Sequence, residues 1–147
     1  YNAGGNEALI DGIRGARDFR TGAWQGYQDT DVIAIVDLGS IQPIEHISVN
    51  FLQDQRSWIF LPTEVACLVS NSPRDNYKAL PKTVFDFKTP SEEILIKTAT
   101  FNMKDPGARY IKIIAKNLGA LPTWHLGYPY NGKAWIFIDE IEIKHAK

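Results

Sequence analysis

The stretch that decides the fold stands near the end of the chain and reads Trp135-Ile136-Phe137-Ile138-Asp139-Glu140-Ile141-Glu142-Ile143. Ile136 and Ile138 share one face of the β-strand that this alternation predicts. Ile141 and Ile143 have the opposite parity. A regular strand does not change its buried face without an extra residue, so the sequence predicts a β-bulge or kink at Asp139-Glu140. The alternative is a strand that is central and buried on both faces.

The apolar runs of the chain are all short and strand-like. They occupy residues 32–38, 44–52, 63–70, 83–87, 94–101, 110–116 and 135–144, after one short strand and a long loop in residues 1–31. No apolar stripe with a period of 3.6 residues extends beyond a turn or two. The run at 32–38 is apolar on both faces, so we expect a central strand there. About eight strands with turn residues between them predict an all-β protein, an antiparallel jelly-roll β-sandwich.

Composition limits the class of protein and its partners. A chain of 147 residues with 44% hydrophobic residues is typical of one domain, and we interpret residues 1–147 as that domain. The formal net charge is −1 without runs of like charge, which argues against nucleic-acid and polybasic membrane contacts. The sequence shows no signal peptide. No apolar stretch reaches the length of about 20 residues that a membrane-spanning helix needs. Cys67 is the only cysteine, and we expect it to be buried in a monomer without disulfides.

Three loops combine aromatic and hydrogen-bonding side chains, as a sugar site requires. An aromatic ring packs on the apolar face of a sugar, and amide, carboxylate, imidazole and guanidinium groups bind its hydroxyls. We expect these loops to contribute Arg14, Arg17, Gln53, Asp54, Trp58, Trp124, His125, Tyr128 and Asn131. Trp124 and His125 are the first candidates for the aromatic platform and the hydroxyl partner. Trp24 and Trp135 are interpreted instead as residues that fill the core or plug a calcium-binding loop, and Trp58 fits either a core or a platform role.

The sequence does not point to catalysis by this domain. Glycoside hydrolysis takes two carboxyl groups facing each other, about 5 to 9.5 Å apart. Asp139 and Glu140 are adjacent, so they point to opposite faces of a regular strand. There is no Gly-x-Ser-x-Gly, His-Glu-x-x-His or phosphate-loop motif, and the three histidines lack the spacing of a zinc site. We therefore expect a non-enzymatic domain.

A calcium site is an additional expectation. Calcium takes six to eight oxygen ligands, many of them loop carbonyls, together with one or two carboxylates. Asp11-Gly12 opens an irregular loop, and Glu140 lies on the last strand, which is often adjacent to the first strand in a closed sandwich. The alternative is that Asp11 is a turn residue and Glu140 a solvated carboxylate.

Several short motifs carry a family resemblance over nearly the whole chain. They are Leu9-Ile10-Asp11-Gly12, Trp24-Gln25-Gly26-Tyr27, Ile35-Val36-Asp37-Leu38-Gly39, Phe51-Leu52-Gln53, Val69-Ser70, Ala108-Arg109-Tyr110-Ile111-Lys112 and Asp139-Glu140-Ile141. Together they resemble the discoidin-like, or coagulation-factor C-type, β-sandwich of the galactose-binding-domain-like fold. This family includes the family 32 carbohydrate-binding modules of secreted glycosidases. The cysteine pair of eukaryotic relatives is missing here.

The resemblance also implies a function. The Phe-Leu-Gln segment and the Trp-His loop are similar to those of modules at the C-terminus of bacterial chitobiases, or β-N-acetylhexosaminidases. The chain would then be an excised, non-catalytic module that directs a neighbouring glycoside hydrolase domain to galactose- or N-acetylhexosamine-containing glycans. The implied location is the periplasm, the bacterial cell surface or the extracellular space. The implied structural Ca²⁺ would be held by Asp11 and Glu140 with the loop residues Ala8, Ile13 and Thr21.

Three other functions stay open at this point. A structural domain that packs on its catalytic neighbour would show a contiguous exposed apolar patch. A protein- or lipid-adhesion module would expose aliphatic side chains, for which Leu121 and Leu126 are candidates. A stand-alone enzyme is the third alternative.

Overall fold

A computed structural model describes residues 9, 10, 15, 17–21, 23–85, 90–103 and 107–146. The short first strand predicted near the start of the chain falls largely outside these residues. Regular structure in the described part consists of strands, the 3₁₀ turns Phe19–Thr21, Gln55–Ser57 and Tyr128–Tyr130, and two further residues in 3₁₀ conformation, Leu9 and Ile10. The predicted all-β class is therefore confirmed. None of the described segments forms a helix with the length and apolar character to span a membrane.

Nine strands make up the described part of the sandwich. They are β1 Gln25–Gln28, β2 Val32–Gln42, β3 Ile44–Gln53, β4 Glu64–Ser70, β5 Lys78–Ala79, β6 Thr83–Val84, β7 Leu95–Asn102, β8 Ala108–Ala115 and β9 Trp135–His145. The sequence did not predict β1 or β5. The sequence pattern also predicted that β2 ends at Leu38. The strand instead continues to Gln42, through an irregularity that contains Gly39 at a φ of 83°. Glycine adopts such a positive φ without steric cost, so Gly39 allows the strand to continue.

The strands form two antiparallel sheets. The first has the order β1-β9-β3-β7, and the second has the order β2-β8-β4-β5, with β6 also paired to β4. Their facing surfaces enclose the main core, in which the alternating side chains of β3 (Ile47, Val49 and Phe51) are fully buried. Cys67 of β4 belongs to this core, and burial raises the pKa of its thiol to about 12. The expectation of a buried thiol is confirmed.

The expectation that residues 32–38 form a central strand is wrong. Within the described residues β2 is an edge strand, paired only with β8. Ile33 and Ile35 are 64% and 53% exposed on the outer side of the sheet. The register places partly exposed side chains of the next two strands beside them: Ile114 and then Ala66 follow Ile33 across the sheet, and Lys112 and then Leu68 follow Ile35. We call this surface (Ile33, Ile35, Ala66, Leu68 and Ile114) the isoleucine face.

The β-bulge predicted in the last strand is confirmed. Val49 of β3 pairs with Ile141 and Phe51 pairs with Ile138, so Asp139 and Glu140 together oppose the single residue between them on β3, Asn50. The extra residue returns Ile141 to the inner face that Ile138 already occupies, and both are buried. The alternative prediction holds as well, because β9 lies between β1 and β3 and is buried on both faces along residues 136–141.

A second, smaller cluster covers the outer face of the first sheet. It contains Trp24, Leu52, Ile59 and Phe137, with Phe19 and Trp135 packed against it. Trp24 is fully buried, which confirms its interpretation as a core residue. A Cβ atom on Gly15 would lie 2.1 Å from the Trp24 ring, so no larger residue fits at position 15 without a shift. The backbone at Gly15 is thus packed against the Trp24 ring on the outer face of the first sheet.

Candidate functional site

Three segments that connect the strands enclose a groove at one end of the sandwich. Its volume is about 600 Å³. It is lined by Gln55, Arg56, Trp58, Pro90, Ser91, Glu92, Trp124, His125, Leu126, Gly127 and Tyr130. We call it the aromatic groove. Its lining mixes large apolar rings with a few polar groups, which is the usual composition of a small-ligand site.

The first wall of the aromatic groove is a tight turn between Asp54 and Ile59. These two residues exchange backbone hydrogen bonds of 3.0 Å in both directions, which closes the turn. Trp58 lies at a φ of 66°, a left-handed conformation that is strained for a bulky side chain. Strained backbone concentrates at functional sites, where the surrounding structure holds it in place. The turn therefore presents the Trp58 ring at a fixed position.

The second wall is the loop from Pro122 to Gly132. Its backbone bonds to itself, from His125 N to Pro122 O at 2.9 Å and from Gly132 N to Gly127 O at 3.0 Å. A Cβ atom on Gly127 would lie 2.6 Å from Leu121 Cδ1 and 2.9 Å from the Trp58 ring. Leu121 is buried in a third small cluster with Phe60 and Ala134, against which Trp58 packs. The loop is therefore a packed part of the fold.

His125 and Gln55 connect the walls through buried hydrogen bonds. His125 Nδ1 accepts a bond from Gly127 N at 2.9 Å, which leaves the proton on Nε2, and Nε2 lies 2.6 Å from Gln55 O. The side chain of Gln55 then accepts a bond from Ser91 N at 2.8 Å. This hydrogen-bonded network (Gln55, Ser91, His125 and Gly127) links the three segments. Both ring nitrogens of His125 are engaged by backbone atoms, so the ring holds the loop.

Aromatic side chains surround His125. The rings of Trp58, Phe60 and Trp124 have their centroids 6.4, 5.6 and 6.1 Å from the centroid of the imidazole. Trp124 remains 38% exposed in the lining of the groove, and Tyr130 is 81% exposed. Such rings offer a flat apolar surface at a site already bordered by polar groups.

A second concavity lies on the other side of the Asp54–Ile59 turn. It has a volume of about 470 Å³ and is lined by Arg17, Asp18, Phe19, Arg20, Asp54, Ser57 and Ile94. We call it the arginine depression. Arg20 donates two bonds to Asp18, from Nε at 2.9 Å and Nη2 at 3.1 Å. The guanidinium of Arg20 lowers the pKa of the Asp18 carboxyl. Asp54 Oδ2 accepts a bond from Ser57 Oγ at 3.2 Å.

The structure distributes the side chains predicted to bind sugar over several places. Trp58, Trp124 and His125 line the aromatic groove, whereas Arg17 and Asp54 line the arginine depression. Gln53, Tyr128 and Asn131 line neither of the two concavities.

Gln53 is buried and its Nε2 donates to Glu93 O at 3.3 Å. Tyr128 and Asn131 are exposed on the loop but do not line the groove. Arg14 lies outside the described residues. Gln55 and Ser91 were missed by the sequence reasoning. Gln55 stands in the polar 53–58 loop that was singled out, but its burial depends on contacts with distant segments.

The predicted calcium ligands are only partly described. Ala8, Asp11 and Ile13 lie outside the described residues, as does the side chain of Thr21. Glu140 is buried at the bulge, and the neighbouring Asp139 carboxylate accepts bonds from Gly15 N at 2.7 Å and Glu140 N at 2.5 Å. The described residues contain no group of three His, Cys, Asp or Glu side chains that would hold a metal ion. Buried carboxylate oxygens do have the hard-donor chemistry that calcium prefers.

Leu121 is buried, which is inconsistent with its predicted role as an exposed adhesion residue. It anchors the loop instead, because its side chain packs in the cluster with Phe60 and Ala134. Leu126 is 88% exposed at the rim of the groove.

No protein-family model matches the sequence. No curated protein matches it either. Solved structures do resemble it. The C-terminal domain of a chitobiase from Bacteroides fragilis aligns with a TM-score of 0.56 and 17% identity, over 99% of this chain and 83% of that one. CBM32-1 from a family 31 glycoside hydrolase of Clostridium perfringens aligns with a TM-score of 0.56 and 16% identity, over 98% and 87%.

A fucose-binding module of Streptococcus pneumoniae gives a TM-score of 0.55 and 16% identity, over 97% of this chain and 84% of that one. At these identities the comparisons concern the fold. The chain therefore has the discoidin-like β-sandwich fold that its sequence motifs resemble.

Proposed function

We propose that this domain is a non-catalytic carbohydrate-binding module whose ligand occupies the aromatic groove. The observation that carries the proposal is the pairing of exposed rings with a buried hydrogen-bonded network that fixes their positions. A sugar requires both an apolar platform and hydrogen-bonding groups, and a preformed site avoids the entropic cost of ordering loops on binding. Trp124 supplies the platform in this proposal, and Arg56, Ser91 and Glu92 are the polar groups at the rim.

The chemistry of the groove supports binding over hydrolysis. Among the described residues that line it, Glu92 is the one carboxylate. Glycoside hydrolysis takes two carboxyl groups on opposite sides of the scissile bond. The role of His125 also changes relative to the sequence prediction, because its buried ring shapes the loop from within.

The galactose and N-acetylhexosamine series are the first ligands to test, by calorimetric titration into the 147-residue chain. Trp124→Ala is expected to weaken binding about ten-fold, since it removes the apolar platform. Ile35→Ala, which shortens an exposed apolar side chain on the isoleucine face, is the matched control and is expected to bind like the wild type. Absence of binding to every sugar tested would refute the proposal, as would equal affinities for both variants.

By the resemblance, we extend the proposal to the protein that carries the module. The module directs a secreted or periplasmic glycoside hydrolase of the chitobiase type to its glycan substrate. The fold likeness to the chitobiase C-terminal domain supports this extension. Fusing the chain to an unrelated fluorescent protein and measuring retention on glycan-coated beads tests the targeting function by itself.

A structural calcium ion belongs to the proposal as well. Glu140 supplies a buried carboxylate to it, at a bulge whose neighbour Asp139 already binds the backbone of the first loop. The ion would hold the loop against the last strand. Added Ca²⁺ is expected to raise the melting temperature and a chelator to lower it, with Glu140→Gln abolishing the difference. Equal melting temperatures with Ca²⁺ and with chelator would remove calcium from the proposal.

The isoleucine face favours a second candidate function, a structural domain packed on its neighbour. Ile33 and Ile35 are more than half exposed, and across the sheet Ile33 pairs with the partly exposed Ile114, whereas Ile35 pairs with Lys112. Exposed apolar patches of this kind mark interfaces between proteins or domains. Co-purification with the neighbouring catalytic domain, lost in an Ile33→Thr/Ile35→Thr variant, would support this function.

A further inference from the structure

The aromatic groove and the arginine depression share their walls. The turn contributes Gln55, Arg56 and Trp58 to the groove but Asp54 and Ser57 to the depression. Consecutive Cα atoms lie ~3.8 Å apart, so a single peptide unit separates the two rims at this turn. In the facing segment, Glu92 lines the groove and Ile94 lines the depression, with one residue between them. The two concavities therefore adjoin each other at both segments.

The crest between the two concavities is polar and exposed. Arg56 and Ser57 form it, and both side chains are exposed. Within the depression, Asp18 is held by the guanidinium of Arg20 through two hydrogen bonds. Arg17 is exposed in the lining of the depression. Its guanidinium fork donates hydrogen bonds to hydroxyl and carbonyl oxygens in a defined geometry.

The charge of the depression indicates the kind of ligand. Arg17 and Arg20 are balanced by Asp18 and Asp54, so its described lining has a formal charge of zero. A balanced lining does not attract anions over neutral molecules. It does provide donors and acceptors side by side, as a polyhydroxylated neutral molecule requires.

We propose that the arginine depression is a second saccharide subsite adjoining the aromatic groove, so that the ligand is a neutral oligosaccharide of at least two residues. The terminal residue packs on the rings of the groove, the linkage crosses Arg56 and Ser57, and the next residue accepts hydrogen bonds from Arg17. This inference rests on the proposed sugar-binding function. It adds that the ligand contains at least two sugar residues and has no net charge.

The test compares short and long ligands by calorimetric titration. The probes are galactose, N-acetylgalactosamine and N-acetylglucosamine, together with lactose, N,N′-diacetylchitobiose and triacetylchitotriose. Whichever of these monosaccharides binds, the oligosaccharide that contains it is expected to bind about ten-fold tighter. This gain is what one additional charge-assisted hydrogen bond gives. Arg17→Ala is expected to abolish this gain and leave the monosaccharide affinity unchanged. Arg74→Ala, which truncates another exposed arginine far from the turn in sequence, is the control and is expected to preserve the gain.

Two results would overturn the inference while leaving the proposed function intact. The first is equal affinity for a monosaccharide and its oligosaccharides. The second is tighter binding of 3′-sialyllactose than of lactose, which would indicate an anionic ligand. Failure of every sugar to bind would overturn the inference together with the proposed function.

Discussion

The aromatic groove and the isoleucine face both expose large apolar side chains, but they are built differently. The groove is concave, and a buried hydrogen-bonded network through His125 and Gln55 holds its walls. The isoleucine face lies on the outer side of a sheet whose edge strand β2 pairs on one side within the described residues. Exposed apolar area by itself therefore does not distinguish a ligand site from an interface. Concavity and convergent polar groups make that distinction.

The largest expected effect comes from removing the centre of the network. His125→Ala leaves Gly127 N and Gln55 O buried without their partner and opens a cavity among three aromatic rings. The free energy of unfolding should fall by on the order of 3 kcal/mol, with loss of sugar affinity. His125→Asn keeps an acceptor near Gly127 N and should recover part of the loss. Chemical denaturation measures both variants, and His145→Ala, an exposed histidine at the end of β9, serves as the control.

A smaller effect is expected where the network reaches the third segment. Gln55→Ala removes the acceptor of Ser91 N and should cost about 1–2 kcal/mol of unfolding free energy. Sugar binding should weaken because the Pro90–Glu92 wall is no longer fixed. Gln28→Ala removes an exposed amide and should change stability by less than about 0.5 kcal/mol. If both variants were equally stable, Gln55 would not hold the walls together.

The sheet that carries the isoleucine face also contains the buried thiol of Cys67, which should make the stability of the protein depend on pH. Burial raises the folded pKa of the thiol from 9.0 to about 12, so above pH 9 the unfolded chain loses a proton that the folded chain retains. Stability should therefore decline between about pH 9 and 12, by on the order of 1 kcal/mol per pH unit from this group. Cys67→Ala should show a shallower decline in thermal unfolding at the same pH values. Parallel pH profiles would contradict the buried position of the thiol.

The smallest change in stability is expected on the isoleucine face itself. Ile33→Thr/Ile35→Thr retains β-branched residues at exposed positions and should alter the free energy of unfolding by at most about 0.5 kcal/mol. Sugar affinity should stay at the wild-type value. Co-purification with the neighbouring catalytic domain should become weaker, because the exposed apolar surface is reduced. Weaker sugar binding by this variant would contradict the separation of the two regions.

The fold was largely predictable because local sequence patterns determine most of its strands. Alternation identified β3, turn residues separated the strands, and the change of parity in β9 located the bulge at Asp139-Glu140. The edge position of β2 was not predictable. A strand that is apolar on both faces has the same sequence pattern whether its second face is covered by a loop or open to solvent. In β9 the second face is covered by Trp24 and Phe19, and in β2 it is open.

The candidate site was predictable in its loops but not in its roles. Composition identified the 53–58 and 124–131 loops, which do face each other across the groove. It did not reveal that the imidazole of His125 faces inward, nor that Gln55 joins segments 36 and 70 residues away. Those assignments depend on long-range contacts, which sequence spacing does not encode.

The bulge in the last strand determines where β9 tolerates the loss of a residue. Asn50 faces two residues at this point, so loss of either Asp139 or Glu140 would restore a regular ladder. Ile138 and Ile141 would then be two positions apart and would both keep the inner face, so the deletion would turn no apolar side chain away from the main core. A one-residue deletion at Phe137 would instead shift the start of the strand by one position and direct Ile136 outward.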